Sequence, residues 1–417
     1  MGKNIILLAT LDTKGVEAGF IKKLVEARGH RMVLIDTNTG GEATIKPDIS
    51  AAEIALHGGS SIEKVRAMTD TSKTSSIMIQ GAVKVIGGLL SRGELDGVIS
   101  FGGASNTTMS TTIMKSLPFG IPKVMLSSTA AMPAYAASYF GTKDIAILHS
   151  VIDIVGFNPL VKDVLTRAAG MICGMVECST GESLFTKKSD KKMVALTEFK
   201  FSEPCCSYIR KNLEEKGFEV IPFHAQGISD RAMEGLILDD FFQGVIDIVP
   251  AGVSEELLGG NRAAGKERLE SAGKKGIPQI ITPCGFDMLS CGPLERREKS
   301  DPLWTKRKLA DRALFIPDAF RVQARTTIEE LTEIAGAVAG RLNRAKGPVV
   351  VMVPTLGWSS LDREGMPLYD PKADKHFIEV LQSKLDSHIK VVLLHCHLNS
   401  IEFADEVVRE FTTLLPK

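Results

Sequence analysis

The residues best placed to do chemistry stand together at Phe101-Gly102-Gly103-Ala104-Ser105-Asn106-Thr107-Thr108, after the run Asp96-Gly97-Val98-Ile99-Ser100. This reads as a buried strand that breaks into a glycine turn and opens a helix reaching Lys115. The first N–H groups of such a helix lack internal acceptors, and Gly102 and Gly103 allow close approach to the backbone, so an anion can be held there. A phosphate or carboxylate is the expected guest, with the side chains of Ser105, Asn106, Thr107 and Thr108 as further donors. The stretch has neither the GxxxxGK[ST] lysine nor the GxGxxG spacing. A tight strand-to-helix turn with hydroxyl capping is the competing reading.

Other polar tips belong to the same rim. Thr10-Leu11-Asp12-Thr13-Lys14, Asp36-Thr37-Asn38 and Ser127-Ser128-Thr129 each follow an apolar run, and in open parallel sheets ligands bind outside the carboxyl ends of the strands. Thr10, Asp12, Thr13, Lys14, Gly102, Gly103, Ala104, Ser105, Asn106, Thr107, Ser127, Ser128 and Thr129 are therefore the candidate binding residues. Their mixture suits a phosphate with a metal ion, at Asp12, or a ribose hydroxyl nearby. Thr10 and Asp12 could equally cap a helix expected to start near Gly15. Lys14 on a first helical turn opposes the dipole, a cost easier to understand beside a ligand anion.

Titratable groups dominate the second half. His224 as base, Arg231 as anion clamp and Glu234 or Asp287 as partner are the candidate catalytic residues for a small anionic substrate in an interdomain cleft. A network of caps and ion pairs is the rival account. His395 and His397 share a strand face and could meet one metal ion, but a strand end donating a single histidine, with Asn399 as neighbour, is the preferred reading. Cys205, Cys206, Cys284 and Cys291 read as small buried fillers, with no histidine in their motif.

These residues must be positioned by a repeated scaffold. Ile5-Ile6-Leu7-Leu8-Ala9, a helical pattern through Phe20, Ile21, Leu24 and Val25, and Met32-Val33-Leu34-Ile35-Asp36 form a βαβ unit. The pattern returns at Met193-Val194-Ala195-Leu196-Thr197, a helix through Tyr208, Ile209 and Leu213, and Glu219-Val220-Ile221-Pro222-Phe223. Asp96-Gly97-Val98-Ile99-Ser100 returns as Gln243-Gly244-Val245-Ile246-Asp247, and Gly120-Ile121-Pro122 as Gly276-Ile277-Pro278. The fold class is α/β: two Rossmann-like three-layer domains with mostly parallel sheets, related by internal duplication. The domains are residues 1–188 and 192–417, with the basic run Lys187 to Lys192 as an exposed linker. Strands at Val349–Val353 and Val391–Leu394 should extend the second sheet, and a last helix should follow from Ile401.

Lys plus Arg and Asp plus Glu number 50 each in 417 residues, so no net field favours nucleic acid or an anionic membrane. No apolar run approaches the roughly 18 to 20 residues of a membrane span, and no signal peptide is expected at the start. Seven cysteines without a CxxC pair suit free thiols in a reducing cytoplasm.

Taken as a set, Thr10 to Lys14, Phe101 to Thr108, Gly120-Ile121-Pro122-Lys123, Tyr139-Phe140-Gly141-Thr142-Lys143-Asp144 and Ser150-Val151-Ile152-Asp153-Ile154 resemble the ATP-binding inhibitory domain of the plant tobamovirus-resistance proteins and its bacterial and fungal relatives. His224-Ala225-Gln226-Gly227, Arg231 to Gly235, Phe286-Asp287-Met288, Arg325-Thr326-Thr327 and Tyr369-Asp370-Pro371 carry the resemblance through the second half. It implies ATP bound with magnesium in the first domain, and homodimers. Ala104 and Asn106 stand where that family often has a run of glycines. The expectation is a cytoplasmic ATP-binding protein. The alternatives are an enzyme, hydrolase- or ligase-like, acting in the interdomain cleft, and a nucleotide-controlled protein-binding module.

Overall fold

The computed structural model describes residues 2–179 and 191–415, and the chain divides into two compact units, Met1–Lys188 and Ser189–Lys417. Of the basic run read as a linker, the part up to Asp190 lies outside the described residues.

In unit 1 the strands are β1 (Asn4–Ala9), β2 (Arg31–Asp36), β3 (Gly97–Gly102), β4 (Lys123–Ser127) and β5 (Ala146–His149), all parallel, in the order β2-β1-β3-β4-β5. The helices are α1 (Leu11–Glu26), α2 (Ala51–His57), α3 (Ile62–Ala67), α4 (Thr71–Ser91), α5 (Ala104–Lys115), α6 (Pro133–Phe140) and α7 (Pro159–Cys178). Ile5, Leu7 and Ala9 pack with Ile21 of α1 and Leu165 of α7, whereas Ile6 and Leu8 pack on the other face with Met78 of α4 and Ile113 of α5. This two-residue alternation buries the sheet on both sides, and so its strands read as continuous apolar runs. A fully buried Ile or Leu contributes about 1.5–3 kcal/mol; Ile5 to Leu8 are all 0% exposed, which fixes the end of β1 firmly. The connection after β1 runs to β2 on one side of the β1–β3 pair, and the connection after β3 runs to β4 on the other. The crevice beyond the carboxyl ends of β1 and β3 is thus the topological switch point.

Unit 2 repeats the plan. Its strands β6 (Met193–Glu198), β7 (Glu219–His224), β8 (Gly244–Asp247) and β9 (Gln279–Ile281) lead to β10 (Met288–Ser290), β11 (Leu314–Phe315), β12 (Gln323–Arg325), β13 (Val349–Pro354) and β14 (Lys390–Leu394). Between them run α8 (Glu203–Glu215), α9 (Ile228–Leu238), α10 (Gly252–Leu258), α11 (Ser271–Lys275), α12 (Glu295–Glu298), α13 (Pro302–Lys306), α14 (Ile328–Leu342), α15 (Pro371–Lys384) and, at the end, α16 (Ile401–Leu414). The main sheet is parallel in the order β14-β13-β9-β8-β6-β7, so β13 and β14 extend it as expected. A small antiparallel sheet, β10-β12-β11, was not foreseen from the sequence.

The duplication is visible in equivalent hydrogen bonds. Asp96 N–H donates to the Asn4 carbonyl (2.8 Å) and Gln243 N–H to that of Met193 (2.9 Å); Val98 N–H donates to Pro122 (2.8 Å) and Val245 N–H to Pro278 (2.9 Å). One boundary differs from the sequence reading: α1 begins at Leu11 rather than near Gly15, with a non-helical kink at Lys14 (φ −124°). Asp12, Thr13 and Lys14 therefore ride on its first turn.

Candidate functional site

Strand register brings the polar tips of unit 1 into one row. Leu8 pairs with Ser100, Ala9 with Asp36, Gly102 with Ser127, and Ser127 with His149. Thr10, Gly102 and Ser127 consequently stand side by side at strand spacings of about 5 Å.

The start of α5 is the centre of that row. Its sequence is rich in Thr and Ser, which are weak helix formers, and it is held by Thr107 Oγ1 donating to the Gly103 carbonyl, Thr111 to that of Thr107 and Thr112 to that of Thr108. Gly102 has φ +156°, and a Cβ there would lie 3.0 Å from that of Asn106, so only glycine fits. Gly103 is the N-cap and contributes no side chain. The amide N–H groups of Gly103, Ala104, Ser105 and Asn106 find no acceptor among the described residues; the first internal bond of the helix is Thr107 N–H to Gly103 O (2.9 Å). The Ser105 and Ser128 hydroxyls likewise have no hydrogen bond within the described chain, and a Cβ on Gly103 would meet only Ser128 Oγ, at 3.8 Å. Open space therefore faces this set of donors.

Not every candidate side chain points into it. The Asn106 amide donates to the Phe101 carbonyl (2.8 Å) and Ser100 Oγ (3.2 Å). Thr107 Oγ1 lies 2.8 Å from Ser127 Oγ, which is 3.3 Å from Thr129 Oγ1, itself 3.0 Å from the Tyr139 hydroxyl. Asn106, Thr107, Ser127 and Thr129 thus form the wall that fixes the turn. Ala104 contributes its amide alone.

On the α1 side, Asp12 Oδ1 accepts the Thr13 amide (2.8 Å) and Oδ2 the Gly41 amide (3.2 Å). Thr10 occupies the N-cap position without a capping bond, its hydroxyl 3.5 Å from that of Thr13. The Lys14 ammonium donates to the Ile154 carbonyl, so part of its donor capacity ties down the segment after β5. Asp36 accepts the Leu11 amide (3.1 Å) and the Asn38 side chain (2.6 Å); burial pushes its carboxyl up while those amides pull it down. Thr37 Oγ1 and Asn38 Oδ1 are buried beside it without hydrogen-bond partners. Among the described residues no group of three or more His, Cys, Asp or Glu could hold a metal ion.

The candidates of unit 2 go to separate places. His224 is exposed at the end of β7 with Gln226 at 3.4 Å, and Arg231 is exposed on α9. Glu234 accepts Arg268 Nη1 (3.1 Å) and the amides of Leu269 and Ser271. Asp287 accepts the Gly285 amide and the Ser359 hydroxyl (2.7 Å), and burial pushes its carboxyl up to about 6. Two of the four are committed to buried networks. His395 and His397 bond Thr355 and the Ser359 carbonyl respectively, and all seven cysteines are free.

Glu255, 0% exposed, accepts the Ser290 amide (2.9 Å), and burial pushes its carboxyl from 4.5 up to about 7. A raised folded-state value means that the stability this group contributes is complete below about pH 4.5 and is lost as pH rises through about 7. Glu255→Gln keeps an acceptor for Ser290 and removes the titration. Relative to wild type it should gain on the order of 2–3 kcal/mol between pH 5 and pH 8, read by urea unfolding of the two buried tryptophans, Trp304 and Trp358. Parallel pH profiles for the two proteins would refute this.

Residues 3–181 match the N-terminal domain, and residues 191–415 the C-terminal domain, of the uncharacterised protein family UPF0261. A UPF0261 protein of Clostridium tetani is 34% identical over 418 residues, covering 100% of both chains. The ToMV resistance protein Tm-1(GCR237) of Solanum lycopersicum is 34% identical over 330 residues, 78% of this chain and 42% of the tomato protein. Among solved structures, E. coli ADP-heptose LPS heptosyltransferase II covers 99% of this chain and 98% of its own at 10% identity, with a TM-score of 0.23, a likeness that bears on neither activity nor ligand. No helix among the described residues is long and apolar enough to cross a membrane.

Proposed function

The chain belongs to the UPF0261 family, and we propose that it is a nucleotide-binding protein whose first domain holds ATP by its phosphates at the start of α5. The observation that carries this reading is the set of unused amide protons on Gly103 to Asn106, at the switch point of a parallel sheet, with the Ser105 and Ser128 hydroxyls beside them. Helix N-termini favour anions through their free N–H groups and the helix dipole. Thr10 and Thr13 line the adjacent turn. Asn106, Thr107, Ser127 and Thr129 act through the backbone they brace.

Asp12 is the residue that would hold magnesium. Its Oδ1 accepts the amide (2.8 Å) and hydroxyl (3.4 Å) of Thr13, whereas Oδ2 accepts only the Gly41 amide and keeps a free lone pair; a Cβ on Gly40 would lie 2.7 Å from Oδ2, so glycine keeps the space beside it open. Magnesium is commonly held by one or two carboxylates together with phosphate oxygens, and there it would neutralise phosphate charge. A cytoplasmic location and a homodimer belong to the same proposal, the former supported by the unpaired cysteines. His224, Arg231, Glu234 and Asp287 form no joint hydrogen-bond network, so the proposal is confined to binding.

Calorimetric titration of the full chain with ATP and magnesium tests it. Charge-assisted hydrogen bonds contribute about 1.5–3 kcal/mol each, so ATP should bind at least about tenfold more tightly than adenosine. Equal affinity for the two would place recognition away from the phosphates and defeat the reading.

A further inference from the structure

The loop after β2 encloses, with α2 and α3, a cavity of about 380 Å³, within the range of small-molecule sites, roughly 300–1,000 Å³. Ala43, Ile45, Pro47 and Ile62 supply apolar walls, and Ser50 and five charged residues, Asp36 and Arg66 among them, supply polar ones. The cavity is joined to the α5 rim by direct bonds. Gly41 N–H donates to Asp12 Oδ2 (3.2 Å) while its carbonyl accepts Arg66 Nη2 (2.7 Å). Thr44 bonds the Leu11 carbonyl through both its amide (3.0 Å) and its hydroxyl (2.8 Å). Asp36 faces both regions, lining the cavity and accepting the Leu11 amide.

The two ends of this rim differ in chemistry. At α5 there are unpaired donors and no carboxylate. In the cavity the charges are mixed, with three carboxylates (Asp36, Glu42, Glu63) against two cations (Lys46, Arg66) and Arg66 paired with Glu42 at 2.9 Å, so a phosphate is less favoured there than an uncharged, flat, partly apolar group. β2 and β3 flank β1, which puts the strand ends that lead into the cavity loop and into α5 about 10 Å apart, a span on the scale of a triphosphate chain. Resting on the nucleotide reading above, we infer that this cavity receives the nucleoside end of the ligand whose phosphates sit on α5, with the chain of phosphates crossing Asp12. The loop from Gly40 to Pro47 is then the element that distinguishes a nucleotide from a bare polyphosphate.

Ala52 lines the cavity from an exposed position on α2, so Ala52→Trp fills it without touching the core, and Ala52→Leu fills it in part. Binding of ATP and of inorganic tripolyphosphate to the full chain is measured for wild type, both variants and Gly103→Trp. Ala52→Trp should weaken ATP at least tenfold, Ala52→Leu less, and both should leave tripolyphosphate within twofold of wild type; Gly103→Trp should remove both ligands. If ATP still binds Ala52→Trp as wild type while Gly103→Trp abolishes it, or if Ala52→Trp weakens both ligands equally, the nucleoside placement is overturned and the phosphate seat survives. If wild type binds neither ligand, the nucleotide reading itself falls.

Discussion

Gly103→Trp should abolish ATP binding, raising the dissociation constant more than a hundredfold, with the thermal midpoint and far-UV circular dichroism of the protein close to wild type. The reason is the unusual freedom of this glycine. Its φ is −85° and ψ −165°, a conformation open to any residue, and an added Cβ would meet nothing nearer than Ser128 Oγ at 3.8 Å. The fold therefore tolerates a side chain whose bulk occupies the space in front of the Ala104, Ser105 and Asn106 amides. Gly102 offers no such separation, because its Cβ would strike Asn106 and disturb the turn itself. A Gly103→Trp protein that binds ATP within threefold of wild type would remove α5 from the account.

The second large effect concerns stability. Arg268 is about 1% exposed and bonds both oxygens of Asp247 (2.5 and 2.7 Å), Glu234 (3.1 Å) and Asp230 (3.3 Å). Removing one partner of a buried ionic network leaves charge with no compensation and costs about 3–5 kcal/mol. Arg268→Met leaves three carboxylates facing one another, so unit 2 should lose at least that much. Both tryptophans of the chain, Trp304 and Trp358, lie in this unit, and the urea transition of their fluorescence reads the loss directly. Adding Asp247→Asn should recover part of it, because the two positions are coupled. A transition for Arg268→Met within 1 kcal/mol of wild type would mean that the network is not the keystone of the unit.

Much of the architecture was legible because its cause is local. Ile5 to Ala9 and Met193 to Thr197 read as strands since a sheet covered on both faces demands uninterrupted apolar residues, and Gly102 marks a turn into a helix that a side chain at that one position would obstruct. The partition of the site's side chains was not legible. Whether Thr107 or Asn106 turns to a ligand or to its own backbone depends on neighbours such as Ser127 and Phe101, and the residue type serves both uses. Arg268 escaped notice for a related reason: its partners lie between 21 and 38 positions away and no periodicity links them. Glu234, read as a catalytic partner, is one of its counter-charges. The strands of the small antiparallel sheet are two or three residues long, too short for an alternating pattern to show.

The most direct measurement is a crystal structure of the chain grown with ATP and magnesium. The account predicts phosphate oxygens within hydrogen-bond distance of the Gly103 to Asn106 amides and of the Ser128 hydroxyl, with the metal beside Asp12. A nucleotide bound elsewhere, with those amides facing only water, would contradict it.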